Sequence, residues 1–163
     1  MRDVPATELL PLWIDCATGQ LVIGDQLRLQ GGMSEAAALA CVASLAPARQ
    51  TLGTMHTAFT VHGLSLGDLP AHLTCRFASN ALQSVSFGVA LADPELIDGW
   101  PSRKTSEREV DVIRGALRLM FGPSFDAMLT LPWGDVYAGI QERDVMVHAG
   151  IRYVGLSDRD SVA

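Results

Sequence analysis

The chain has 163 residues, 48% of them hydrophobic and 18% charged, with a formal net charge of −6. A chain of this length fits one domain that buries about 70% of its unfolded surface, so neither a metal nor a disulfide is required for folding. The acidic balance, with Lys104 the single lysine, excludes the basic stripe of a nucleic-acid binder and favours basic partners through steering.

The opening "MRDVPATELLPLWIDC" lacks the uninterrupted apolar stretch of a secretory signal. No apolar run reaches the ~18 residues of a membrane-spanning helix. The expected setting is the cytoplasm, with no membrane partner. "LWIDCATGQLVIG" predicts a hairpin turning at Ala17-Thr18-Gly19, where Gly19 supplies a positive φ. Its expected faces carry Leu12, Ile14 and Val22 on one side and Trp13, Leu21 and Ile23 on the other, both covered. "SEAAALACVASLAP" predicts a helix capped by Ser34, with Glu35 at the positive end of its dipole and Pro47 as its stop.

Three strands follow as a meander. In "HTAFTVHG", His56, Ala58, Thr60 and His62 face one way and Thr57, Phe59 and Val61 the other. "HLTCRF" sets His72, Thr74 and Arg76 against Leu73, Cys75 and Phe77, and "QSVSFGVAL" sets Ser84, Ser86 and Gly88 against Val85, Phe87 and Val89. Keeping the apolar set together predicts Cys75 opposite Val85 and Leu73 opposite Phe87. A longer loop from Gly63 to Ala71 then sets His62 opposite His72, Thr60 opposite Thr74 and Ala58 opposite Arg76. "ADPELIDGWPSRKT" is expected to be a long loop. "SEREVDVIRGALRLMFGP" predicts a helix with a Ser106/Glu109 capping box, a stripe of Val110, Ile113, Leu117 and Met120, and a stop at Gly122-Pro123. "WGDVYAGIQERDVMVHAGIRYV" predicts a hairpin turning at Arg143-Asp144, with Val136, Ala138 and Ile140 beside Ile151, Ala149 and Val147. Residues 157–163 form a polar tail to a single domain over 1–156. The predicted fold class is α+β, an antiparallel sheet of about six to eight strands with two helices packed on one face.

Chemical constellations are sparse. His62 and His72, facing across a strand pair, could share a metal ion, but a catalytic zinc takes three protein ligands and no spacing supplies the third. A solvated polar face is the expected role of these residues, and no cofactor is expected. The three cysteines, Cys16, Cys41 and Cys75, are widely spaced with no CxxC pair, so a disulfide framework and a structural zinc site are disfavoured. No nucleophile elbow, Walker loop or dinucleotide fingerprint occurs. In the long loop, Asp93, Glu95 and Asp98 surround Leu96, Ile97 and Trp100, the makeup of an interface with apolar anchors and an acidic rim.

"DCATGQLVIGDQL" and "LPWGDVYAGIQERDVMVHAGIRYV" resemble the opening and closing hairpins of small bacterial proteins, some of which look like immunity proteins of interbacterial toxin systems. The resemblance covers about a quarter of the chain and carries no reaction. It implies a fold of this size and a protein partner, a basic toxin being the candidate. The expected function is therefore a non-catalytic binding protein of immunity or adaptor type, docking through Asp93, Glu95, Leu96, Ile97, Asp98 and Trp100. Two alternatives stand beside it. One is a metal-dependent hydrolase or other enzyme working with His62, His72 and Arg76. The other is a subunit of a homo-oligomer that covers the polar face or an edge strand.

Overall fold

A computed structural model describes residues 9–154. The predicted tail at 157–163 lies outside the described residues. The strands are β1 (Leu10–Ile14), β2 (Leu21–Ile23), β3 (Leu27–Leu29), β4 (Ala48–Gly53), β5 (His56–Leu66), β6 (Leu69–Ala78), β7 (Ala81–Val89), β8 (Leu96–Ile97), β9 (Trp100–Pro101), β10 (Met128–Leu131), β11 (Gly134–Gln141) and β12 (Met146–Tyr153). Two α-helices, α1 (Glu35–Cys41) and α2 (Arg103–Phe121), complete the fold.

Ten strands form one sheet in the order β10-β11-β12-β7-β6-β5-β1-β2-β3, with β4 also on β5, while β8 and β9 pair with each other. The α+β class is as expected, but the strand count exceeds the expected six to eight. Three of the added strands had no clean alternation to reveal them. All six residues of β4 are exposed, and β3 and β10 are only three and four residues long. The sheet is mostly antiparallel, with a parallel pairing of β1 on β5 through Leu10 and Leu64.

The meander has the expected register. Leu73 pairs with Phe87, Cys75 with Val85, Thr60 with Thr74 and Ala58 with Arg76. The loop expected from Gly63 to Ala71 is instead strand. β5 and β6 run on to Leu66 and Leu69, turning at Gly67 and Asp68 with φ of 57° and 69°. Positive φ at both central residues marks the turn that fits a hairpin's twist. Gly63, at φ 83°, is a bulge within β5 and not the start of a loop.

The first hairpin is shifted by one residue from the expected arrangement. Ile14 pairs with Leu21 and Leu12 with Ile23, so these four share one buried face, and Trp13, 47% exposed, lies opposite Val22. The cause is the turn, which spans Asp15 to Gln20: Asp15 Oδ1 accepts from the Ala17 backbone N–H, and the Asp15 N–H donates to the Gln20 carbonyl.

α1 starts as expected, Ser34 Oγ accepting from the Ala37 N–H at 3.1 Å. It gives way to a short 3-10 turn, and Ala46, in the left-handed region just ahead of Pro47, ends it. α2 begins earlier than expected. Ser102 Oγ caps it by accepting from the Thr105 N–H at 3.1 Å, and Ser106 is already buried inside the first turn, donating to the Val145 carbonyl at 2.7 Å. The Ser106/Glu109 capping box is therefore absent. Val110, Ile113 and Leu117 are buried and Met120 is partly so, and Gly122 ends the helix with φ 107°.

Both helices bury their apolar sides in one cluster with the inward residues of the sheet, including Phe59, Leu73, Val85 and Ile151. The sheet coils around this core. Tyr153 of β12 and the turn after β1 belong to strands four steps apart, roughly 19 Å in a flat sheet. Yet Tyr153 Oη donates to the Gly19 carbonyl at 2.7 Å, and Trp133 Nε1 donates to the Cys16 carbonyl at 2.9 Å.

Candidate functional site

Two surfaces stand out. The first is the outward face of the sheet, whose polar side chains lie in rows across the strands. One row runs Ala58, Arg76, Ser84, Arg152, Asp135. The next runs Thr60, Thr74, Ser86, Gly150, Tyr137, with the Thr60 and Thr74 hydroxyls 3.0 Å apart. The third begins with His62 and His72, whose ring centroids are 5.8 Å apart, and continues to Gly88, where the His72 ring lies against the backbone. A Cβ at Gly88 would come within 2.6 Å of that ring.

β7 and β12 pair only through Ser84 to Ser86 and then part. A cavity of about 530 Å³ opens there, bordered by His72, Arg76, Glu109, Tyr137, His148 and Arg152, among others. The structure thus brings His72 and Arg76 into one cavity. It adds Tyr137, His148 and Arg152, whose outward direction follows from the predicted C-terminal hairpin, and Glu109, which the sequence pattern places in a cap. What no local pattern in the sequence marks is the pairing of β12 with β7.

The environment tunes several of these groups. Burial, and then the charge of His62, holds the His72 imidazole below the ordinary histidine range. Burial pushes the Glu109 carboxyl up, opposed by the Val89 backbone N–H. Burial also pushes Tyr137 up, against the pull of Arg152 and Arg76, so its hydroxyl keeps its proton at neutral pH. Among the described residues no three His, Cys, Asp or Glu side chains gather as a metal site. Cys75 is buried in the core, its thiol pushed up to about 12, which makes it inert. Cys41 donates to the Arg28 carbonyl at 3.3 Å, and Cys16 is exposed.

The second surface replaces the expected long loop. Residues 96–101 form a tight hairpin in which Leu96 pairs with Pro101 and Ile97 with Trp100. Asp98 and Gly99 turn it with φ of 53° and 82°. Its base is clamped to the start of α2: the Glu95 N–H donates to Thr105 Oγ1 at 2.8 Å, Thr105 Oγ1 donates back to the Glu95 carbonyl at 2.8 Å, and the Ser102 N–H donates to the same carbonyl at 3.0 Å. The tip is bare. Trp100 is 67% exposed, Ile97 61% and Leu96 54%, and Asp93, Glu95 and Asp98 are exposed around them. Trp100 therefore does not fold back onto the body.

Fold and surfaces define an α+β protein with a rigidly mounted apolar hairpin on one side and a polar cavity in its sheet. No family model matches the chain, and no curated protein matches it in sequence. In structure it is similar to a chain of the solved complex described as Rhs1-CT in complex with cognate immunity protein RhsI1, with 93% of this chain covered, 99% of that chain covered, a TM-score of 0.51 and 9% sequence identity. At that identity the likeness is one of fold.

Proposed function

We propose that this chain is a non-catalytic protein of immunity type that holds a protein partner through the β8–β9 hairpin. The observation that carries the reading is the end-to-end fold likeness to a chain of a complex containing a cognate immunity protein. The hairpin supports it further. Three large apolar side chains stand in water on a base tied by hydrogen bonds, so little ordering entropy opposes docking. An acidic rim and a net charge of −6 point to a basic partner, which would meet this protein in the cytoplasm.

The test is affinity capture from the source cells, followed by binding measurements on the purified partner. Trp100→Ala should weaken binding by about 2 kcal/mol or more, roughly 30-fold, as truncation of a hot spot does. It should leave stability within about 0.5 kcal/mol, as changes at exposed positions do. A chain that retains no protein partner, or a variant that binds as well as the parent, would remove the proposal.

A further inference from the structure

We propose that the cavity where β7 and β12 part binds the phosphate group of a small molecule, gripped between Arg76 and Arg152. The inference goes beyond the hairpin reading and uses none of its residues. Register places Arg76, Ser84 and Arg152 on three adjacent strands, all outward. Two strand steps separate the arginines by about 10 Å, and Ser84 lies between them as the floor.

Arg76, Arg152 and Tyr137 line this one cavity, and the charges of both arginines act on the phenol. The Tyr137 hydroxyl lies close to the β12 backbone. Its oxygen lies 3.0 Å from where a Cβ on Gly150 would stand, and glycine is required there chiefly because that Cβ would overlap the Val85 carbonyl of β7. Two guanidiniums, a phenol and the Ser84 and Ser86 hydroxyls thus border one volume, a set of donors suited to an anion.

Among the described residues, neither arginine has an ion-pair or hydrogen-bond partner. The two ion pairs there are Arg49 with Glu35 and Arg103 with Glu142. Asp135 is the cross-strand neighbour of Arg152, yet it does not come within 4 Å of it. Two positive charges without an ion-pair partner among the described residues, with Glu109 the one carboxyl on the cavity's border, match a phosphate, at about −1.5 to −2, better than a single carboxylate. The cavity's 530 Å³ lies in the range of small-ligand sites, roughly 300–1,000 Å³. A long polyanion is disfavoured, because beyond this row it meets a protein of net charge −6.

Calorimetric titration of the full chain with inorganic phosphate, and separately with AMP, tests this against a constant background of chloride. Saturable binding is expected, and tighter binding of AMP would mark a phosphate monoester as the natural form. Arg76→Gln and Arg152→Gln should each weaken binding about tenfold or more, and the double variant should abolish it. Ser84→Ala, which removes a donor without touching a charge, should weaken it less, and Trp100→Ala should leave it unchanged. Circular dichroism confirms that each variant is folded. The proposal is overturned if neither probe saturates below about 10 mM, or if the folded double variant binds as tightly as the parent.

Discussion

Gly19 joins the two end hairpins of the chain. It sits at φ 76°, a Cβ there would overlap the Trp133 ring, and its carbonyl accepts from Tyr153. Gly19→Ala should cost about 2–3 kcal/mol, combining left-handed strain with the displaced indole. A lowered urea midpoint with an unchanged slope would confirm it; an unshifted midpoint would show that the contact between the two end hairpins is dispensable. His72 offers a second test. Its imidazole is held below the ordinary value, so the unfolded chain takes up that proton first as pH falls. The contribution to stability is full above the unfolded pKa of about 6.5 and is lost as pH drops through the folded one. The raised Glu109 carboxyl acts in the opposite sense, gaining stability as pH falls. Comparing His72→Asn with the parent therefore isolates the imidazole: the parent should lose more melting temperature between about pH 7.5 and about pH 5.5. Equal losses would deny His72 a part. The facing of His62, His72, Thr60 and Thr74 was legible because period-two alternation and a shared apolar face set a register. Arg152 and Tyr137 could not be joined to them, because that requires knowing which distant strand lies beside β7.

At the level of elements, local chemistry was informative where it had no rival. Ser34 has none, and it caps α1 as its sequence predicts. For α2 the sequence offers two serines, and the structure uses the earlier one, Ser102, because Ser106 is drawn inside to bond the Val145 carbonyl. Ser102→Ala should therefore cost about 1 kcal/mol by thermal or chemical unfolding, the usual loss for an N-cap. Since Thr105 Oγ1 makes two of the bonds that hold the base of the β8–β9 hairpin, Thr105→Val should raise amide exchange at Ile97 and Trp100. Unchanged exchange would mean that the hairpin stands without its clamp. The hairpin itself was missed because a two-residue strand has no period to detect, and its sequence of proline, acids and a lone tryptophan reads as loop. Gly63 misled in the other direction, since a glycine inside a strand pattern signals a bulge as well as a turn. The turn at Arg143-Asp144 was a milder error: the predicted pairs hold, but the ladder stops at Gln141 and Met146, with Val145 left-handed between them.

Over the whole molecule, the sheet coils until the turn after β1 meets the start of β11, which places both stretches that suggested immunity proteins in one contact. Non-local closure of this kind has no signature in a single sequence. Net charge does, and it yields a test of how the molecule would find the basic partner proposed for it. With −6 overall and Asp93, Glu95 and Asp98 around the hairpin, association with a basic partner should be fast at low salt and fall as salt rises, because the exposed charges are screened beyond about 10 Å at 0.1 M. Glu95→Gln removes one rim charge while leaving its backbone bonds to Thr105 in place, so it should slow association and flatten the salt dependence with little change in dissociation. Trp100→Ala should do the reverse, since a buried anchor acts on the lifetime of the complex rather than on the encounter. Stopped-flow association at several salt concentrations separates the two. If Glu95→Gln alters only the dissociation rate, the acidic rim is in direct contact and not a steering field, and the partner must carry a cation placed against that carboxylate.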